Sequence, residues 1–230
     1  MAQRRLTRPG WLILGGLALV LLLFVGLPRA LRKMDFFRVS KIEVRGLANL
    51  RAEDVARVLP IPARMNLFGD LDAVQHAADS IPGLADVVVS RRLPGTLVVT
   101  VREVPPIALV MRKGQLRLLG EDGRALPFDP TVSAPDLPIV READSLVTRL
   151  LARVRDADVT LYSRVISGWR AGDDIVLAVD GQRYWFRPDA PAEVIQAVTL
   201  VAQDLEKKGR RYVELDARFA GQVVVRWRAA

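Results

Sequence analysis

The stretch "RRLPGTLVVTVREVPPIALV", residues 91–110, decides the fold that the sequence predicts. Leu97, Val99 and Val101 alternate with other residues, and alternation is the period of a strand that buries one of its faces. A Pro-Gly turn signal precedes them, so residues 85–103 predict a β-hairpin. Two adjacent prolines follow the hairpin. Because proline fixes φ and disfavours helix before it, we expect the chain to enter a second domain there without a flexible linker.

The residues before this hairpin predict one strand and two helices. "VSKIEVRG", residues 39–46, alternates apolar with charged residues and predicts a strand that ends at a glycine. "NLRAEDVARVLP", residues 49–60, and "DLDAVQHAADS", residues 70–80, each place apolar residues on one side and predict helices. The predicted order is β-α-α-β-β, in which the two helices cover one face of a three-stranded sheet.

The N-terminal segment has the composition of a membrane span. "WLILGGLALVLLLFVGL", residues 11–27, contains only apolar residues and glycine, and as a helix it would extend over roughly 25 Å. A cleaved signal peptide is the alternative, but the segment that follows lacks a small-x-small cleavage site. The sequence therefore predicts an uncleaved transmembrane helix at residues 11–28.

Residues 107–230 predict a mixed, β-rich domain with two helices, so that the fold class of the whole chain is α+β. "DIVLAVDGQRYWFR", residues 174–187, is a hairpin around an Asp-Gly turn. "READSLVTRLLARVRD", residues 141–156, and "PAEVIQAVTLVAQDLEKKG", residues 191–209, predict the two helices. The chain closes with an apolar strand, "GQVVVRW", at residues 221–227.

The charge of the chain allows an anionic partner without requiring one. The formal net charge is +8 and the isoelectric point is about 10.5, values that suit nucleic acid or an anionic membrane. The 26 acidic residues are nevertheless interleaved with the 34 basic ones. A mixed, solvated surface is therefore favoured over a nucleic-acid footprint, which would rest on the isoelectric point alone.

No pattern in the chain predicts a catalytic, cofactor-binding or metal-binding site. The chain has no cysteine, and His76, the single histidine, falls within a predicted helix. Glu121 and Asp122 belong to a predicted turn, and no glycine-rich phosphate loop follows a strand. We therefore predict that the chain is not an enzyme and has no cofactor and no small-molecule substrate. The alternative is an exported cell-wall-processing enzyme with an unrecognised carboxylate site.

The residues around the hairpin resemble a known family. Behind a single membrane span, residues 36–110 are similar to the POTRA domain of the FtsQ/DivIB family of bacterial cell-division proteins, and the remainder is similar to that family's β domain. The residues that carry the resemblance lie in the first strand, before the second helix and around the hairpin: Val39, Ile42, Val44, Gly46, Asn66, Leu67, Val87, Val89, Arg91, Pro94, Leu97, Val99, Val101, Glu103, Pro106 and Ala108.

The resemblance implies an organisation and a role. It implies a cytoplasmic tail at residues 1–10, the transmembrane helix at 11–28, a POTRA domain at 36–106 and a β domain at 107–230. The protein would be a single-pass inner (plasma) membrane protein with a cytoplasmic N-terminus, and its folded domains would act outside the cytoplasm at the division septum. The implied function is a scaffold of the divisome that binds bitopic proteins of the FtsB and FtsL families and the septal peptidoglycan synthase complex.

The final strand is the predicted partner-binding site. A terminal strand often lies at a sheet edge, where its free backbone groups accept a strand from another chain, and the family holds its small partner at this end of the β domain. Consecutive residues of a strand aim their backbone groups to opposite sides, so in an edge strand Val223 and Val224 should differ. For the aromatic residues, core packing is the alternative to partner binding. The predicted site residues are Tyr212, Phe219, Val223, Val224, Val225 and Trp227.

Overall fold

The structure is a computed structural model that describes residues 8–21, 24, 31, 34–62, 64–133 and 136–227. Its contacts divide the chain into two compact units, residues 1–103 and residues 104–230. Each unit has its own hydrophobic core.

Near the N-terminus, an apolar helix, α1, spans Arg8–Leu21. Ile13 and Leu17 of this helix are exposed. Across the described ranges, no helix is both long enough and apolar enough to cross a membrane. Residues 22–23 and 25–28 of the predicted span, and residues 1–7 of the predicted tail, lie outside the described residues.

The first unit has the predicted β-α-α-β-β order. The strand β3 lies in the centre of a sheet of order β1-β3-β2, parallel to β1 and antiparallel to β2. Both helices are shorter than predicted by a residue or more at each end. The elements are a 3₁₀ turn at Asp35–Phe37, β1 at Lys41–Arg45, α2 at Ala52–Val58, α3 at Asp72–Asp79, β2 at Leu84–Arg92 and β3 at Thr96–Glu103.

The helices α2 and α3 cover one face of this sheet. Leu97, Val99 and Val101 of β3 are buried beneath Val55 and Val74 of the two helices, which confirms the core face that alternation predicts. Burying apolar side chains of this size contributes about 1.5–3 kcal/mol each.

The second unit is built on one eight-stranded sheet of order β11-β10-β9-β8-β7-β6-β4-β5. The pairs β4/β6, β6/β7 and β9/β10 are parallel, and the other pairs are antiparallel. The strands are β4 at Ala108–Arg112, β5 at Gln115–Leu119, β6 at Ile139–Val140, β7 at Val165–Ala171, β8 at Asp174–Val179, β9 at Gln182–Phe186, β10 at Tyr212–Asp216 and β11 at Val224–Trp227.

The two predicted helices are present in this unit, together with two short ones that the sequence reading missed. The helices are α4 at Pro130–Ser133, α5 at Ser145–Ala157, α6 at Val159–Arg164 and α7 at Ala192–Lys207. The helix α6 begins directly after α5 because the carboxylate of Asp158 accepts hydrogen bonds from Thr160 N and Leu161 N, both at 2.9 Å, and so starts a new helix.

The helices α5 and α7 contribute to the core of the second unit. Leu150 and Val154 of α5 and Ile195 and Val198 of α7 are fully buried in the same cluster as residues of the central strands. Leu150 and Val154 are therefore the core contacts that their helical spacing predicts.

Candidate partner-binding edge

The last strand, β11, lies at one edge of the eight-stranded sheet. It pairs with β10 in antiparallel register, with Val224 opposite Asp216, Val225 opposite Leu215 and Arg226 opposite Glu214. No described strand lies on its other side. The backbone groups that β11 aims away from β10 are therefore free to bind another chain.

The direction of these backbone groups follows from the next pair of strands. Ala217 N donates to Trp185 O of β9 at 3.0 Å, so Ala217 and Leu215 aim their backbone groups toward β9. Their neighbours Glu214 and Asp216 then face β11. In β11, the opposed residues Val224 and Arg226 bond inward, and Val225 and Trp227 present N–H and C=O groups at the free edge.

Two buried carboxylates of β10 hold the edge strand and its loop. Glu214 is nearly buried between Arg183 of β9 and Arg226 of β11, each with a nitrogen 3.3 Å from a different carboxylate oxygen. Glu214 Oε1 makes no hydrogen bond among the described residues, so its contact with Arg226 is an ion pair only. The result is a cross-strand Arg-Glu-Arg ladder over three neighbouring strands.

The second carboxylate, Asp216, is held by Arg218 in the loop that leads to β11. Arg218 Nε donates to Asp216 Oδ1 at 2.8 Å, and Arg218 Nη1 donates to Asp174 Oδ2 at 2.8 Å. The hydrogen bonds from Arg218 lower the pKa of Asp216, although burial opposes this change. The guanidinium of Arg218 also stacks on the ring of Trp185, 4.6 Å from its centroid. The loop is thus fixed by charge and by stacking.

The predicted site residues have different environments. Phe219, Val224 and Trp227 are exposed, by 49%, 38% and 49%. Val223 and Val225 are partly buried against the core. These five residues lie along the edge strand and the loop before it.

Tyr212 is the exception among the predicted residues. It is buried, and its hydroxyl lies 2.6 Å from that of Tyr184. Burial raises the pKa of both hydroxyls. Of the two alternatives for the aromatic residues, core packing is therefore the one that Tyr212 adopts.

A groove beside the edge strand was missed by the sequence reading. Val194, Ala197 and Val201 of α7 face Phe219 and Val223 across a groove of about 470 Å³. The three helix residues recur at intervals of three and four, next to the fully buried stripe of the same helix. This second apolar stripe is visible in the sequence of the predicted helix, and it is the signal from which the groove could have been predicted.

The residues weighed for chemistry lie apart from one another. His76 Nδ1 contacts the backbone oxygen of Asp72 at 2.7 Å within α3. Asp122 accepts from Arg124 N at 3.0 Å, as expected of a turn. In the described part of the chain, no three His, Cys, Asp or Glu residues are grouped so as to hold a metal ion.

Some comparisons with known proteins match one domain of the chain, and one matches almost all of it. A family model described as "POTRA domain, FtsQ-type" matches residues 37–103. The cell division protein FtsQ of Alcanivorax borkumensis is 22% identical over 99% of this chain and 90% of its own length. FtsQ of Bradyrhizobium diazoefficiens is 30% identical over 50% of this chain, and FtsQ of Myxococcus fulvus is 31% identical over 47%. These two matches span only 35% and 38% of the relatives' lengths.

A solved structure also matches part of the chain. It is the major extracytoplasmic domain of the bacterial cell division protein DivIB from Geobacillus stearothermophilus, which matches 46% of this chain and 96% of that chain. The identity is 20% and the TM-score is 0.34.

The β-α-α-β-β unit and the family model together define a POTRA domain of the FtsQ type, which is followed by a β-rich domain. The match to FtsQ of Alcanivorax borkumensis extends the similarity beyond the POTRA domain to almost the whole chain. The chain is thus similar to FtsQ proteins, by its POTRA domain and, at lower identity, over almost its whole length.

Proposed function

We propose that the protein is a membrane-anchored scaffold of the divisome that binds small bitopic division proteins at the edge strand β11. The anchor is the apolar segment at residues 11–28, with a cytoplasmic N-terminus and both folded domains outside the cytoplasm. The partners are proteins of the FtsB and FtsL families, and the scaffold connects them to the septal peptidoglycan synthase complex. The similarity to FtsQ proteins supports this proposal, as does the free edge of β11.

The observation that carries the proposal is the combination of a free backbone edge with an apolar groove. A strand added to β11 gains main-chain hydrogen bonds from the outward groups of Val225 and Trp227. Its apolar side chains enter the groove between α7 and the loop at Phe219, which supplies specificity. Main-chain bonds and pockets for side chains are the two requirements for binding by strand addition.

The residues at the end of β11 also indicate the charge of the partner. Arg210 and Arg211 lie beside Trp227 at the end of β11, and neither has an ion-pair partner among the described residues. A partner segment with acidic residues at this end of its strand would be complementary.

Proline substitution tests the proposed binding mode because proline removes one backbone N–H. Val225→Pro removes an outward donor, and the fold should tolerate it as edge strands tolerate proline. The full chain in detergent should keep its thermal midpoint, and its affinity for the FtsB-family protein of the same cell should fall by about tenfold or more. Val224→Pro is the matched control: it breaks the bond to β10 and should lower the thermal midpoint.

Two results would contradict this binding mode. If Val225→Pro binds the FtsB-family protein as tightly as wild type, the partner does not add to β11. If Val225→Pro and Val224→Pro lose the same stability, β11 is not a free edge. The alternative that the protein is an enzyme has a separate test. If the full chain releases soluble products from purified cell wall, it is a hydrolase and the scaffold proposal is wrong.

A further inference from the structure

The opposite edge of the eight-stranded sheet carries an exposed apolar surface. Met111 of β4 and Leu116 of β5 form a cross-strand pair and are 56% and 40% exposed, and Ile139 of β6 is 49% exposed. We call these three residues the β5 patch. A single exposed apolar residue is ordinary, but three that meet on one face mark an interaction surface.

The patch borders a groove on the sheet face opposite the core. The core residues Ala108 and Val110 alternate with Leu109 and Met111, so the latter two point to the other face. Leu109, Met111 and Leu116 line a groove of about 540 Å³ whose far wall is formed by Pro130 of α4. A groove of this kind can accept the side chains of a bound segment, whereas a flat surface cannot.

The backbone beside the patch is also free. Leu126 N donates to Leu118 O at 2.8 Å on the side of β5 away from β4. Leu116 lies two residues earlier in the same strand and aims its N–H and C=O to that same side. Within the described ranges, only the bridge between Leu119 and Ala125 lies on that side of β5, and no strand lies beside Leu116. The exposed side chain and the free backbone groups therefore belong to one residue, Leu116.

The charged residues of β4, β5 and the turn between them have one sign. Arg112 and Arg117 alternate with Met111 and Leu116 and so lie on the other face of these strands, and Lys113 lies in the turn between them. Residues 108–119 contain no Asp or Glu. None of these three cations has an ion-pair partner among the described residues. Arg117 bonds only the neutral side chain of Gln115, at 3.0 Å. Two copies of this strand would repel each other, so the charge favours a different, acidic partner.

We propose that β5 is a second strand-addition site, which binds an extended polypeptide segment of another protein with alternating apolar and acidic residues. The apolar side chains of the segment occupy the groove at Leu109, Met111 and Leu116, and its backbone pairs with Leu116. Its acidic side chains neutralise Arg112 and Arg117. The free backbone edge favours a polypeptide over a lipid surface, because a lipid offers no matching ladder of donors and acceptors. The site is independent of β11.

A defined peptide and one backbone amide test this proposal. The probe is the synthetic peptide acetyl-Glu-Val-Glu-Leu-Glu-Val-Glu-amide, added to the full chain in detergent, with hydrogen exchange measured residue by residue. The amide of Leu116 should become protected, while those of Gln115 and Arg117, which already bond to β4, should not change. Binding should weaken as salt is added, because exposed charges are screened.

Variants of β4 and β5 separate the contribution of the Leu116 backbone to peptide binding from that of the arginine charges. Leu116→Pro removes the outward N–H, and the fold should tolerate it at an edge, with binding weakened about fivefold or more. Arg112→Gln with Arg117→Gln should weaken binding to the acidic peptide and leave the fold intact. A peptide of the same pattern with lysine in place of glutamate should not bind.

Three outcomes would overturn the proposal. These are the absence of binding by the acidic peptide, equal binding by wild type and Leu116→Pro, and protection of residues 111–117 by phosphatidylglycerol vesicles but not by the peptide. The last outcome would make the patch a membrane-binding surface. Because Val225→Pro should leave this binding unchanged, failure here is distinguishable from failure of the β11 proposal.

Discussion

The side-chain amide of Gln75 on α3 occupies the place of a peptide group at the outer edge of β2, where it accepts a hydrogen bond from Val89 N at 3.0 Å. Its Nε2 donates to Val87 O at 2.7 Å. A residue of a parallel strand would bond to the same two positions, two residues apart. Gln75 thus closes this edge of the POTRA sheet to other chains in the way that natural sheets protect their edges.

Opening that edge should cost stability and promote association. Gln75→Ala leaves Val87 O and Val89 N without their partner, so we expect a loss of about 1–2 kcal/mol of unfolding free energy. The full chain in detergent should also self-associate as its concentration rises, measured by sedimentation velocity. Gln203→Ala, on the exposed side of α7, is the control and should change neither property. A monomeric Gln75→Ala variant of wild-type stability would refute the protective role.

Glu103 should make the POTRA domain sensitive to acid. Burial works against ionisation of its carboxylate, but hydrogen bonds from the backbone of Leu50, Asn49 and Ala48 outweigh burial and lower its pKa. A lowered pKa contributes stability above the pKa of the unfolded state, and this stability is lost as pH falls through the folded value. Glu103→Gln should therefore be less stable than wild type by about 2 kcal/mol at pH 7.

The difference between wild type and Glu103→Gln should shrink below about pH 4.5, where the unfolded carboxylate becomes protonated. Thermal unfolding from pH 7 to pH 3 measures it. The exposed Glu142→Gln variant should follow wild type throughout. A stability difference that does not change with pH would show that ionisation of Glu103 is irrelevant.

The Arg-Glu-Arg ladder should determine how firmly β11 is attached. In Glu214→Ala, the cations of Arg183 and Arg226 face each other without the carboxylate, so the edge strand should loosen. We expect faster hydrogen exchange at the amides of Val224 and Arg226, and a loss of about 1–2 kcal/mol, since both arginines are half exposed. Unchanged exchange at these amides would mean that backbone pairing alone holds β11.

Two exposed aromatic residues near β11 should contribute to partner binding, since Phe219 lines the groove and Trp227 lies at the end of the strand. Phe219→Ala and Trp227→Ala should each weaken binding of the FtsB-family protein by about 2 kcal/mol, or roughly 30-fold, as expected of aromatic residues at an interface. Leu200→Ala is the matched control, because Leu200 is 66% exposed on α7 and does not line the groove. Calorimetry on the full chain measures the affinities. Equal losses for all three variants would argue against a localised site.

The proposed topology has a direct test. Protease added to intact spheroplasts should digest residues 36–230, because both folded domains are placed outside the cytoplasm, while the tail at residues 1–8 stays protected. Immunodetection of a tag at each end of the chain shows which of these regions is digested and which is protected. Protection of residues 36–230 with cleavage of the tail would reverse the proposed orientation.

Elements with a local signal were predictable from sequence. The alternation of Leu97, Val99 and Val101 gave the central strand of the first sheet, and the helical spacing of Leu150 and Val154 gave the core face of α5. Such patterns are visible locally because one face of each element is buried.

Features that depend on long-range contacts were not predictable. Glu103 caps a loop 53 to 55 residues earlier in the chain, and the two-residue strand β6 exists only because its neighbours pair with it. The sequence predicts the edge position of the final strand, but the direction of each backbone group follows only from the bond between Ala217 and Trp185. Core packing of Tyr212 likewise depends on Tyr184, which lies on another strand.

The order of the eight-stranded sheet also determines the distance between its two edge strands. The strands β5 and β11 are its two ends, seven inter-strand steps apart, and each step measures about 4.8 Å, so the ends are separated by roughly 34 Å. Each step also turns the strand direction by about 20–25° in the same sense. Segments added at both ends would be held by the sheet at a fixed spacing and a fixed angle, as two arms of a rigid bracket.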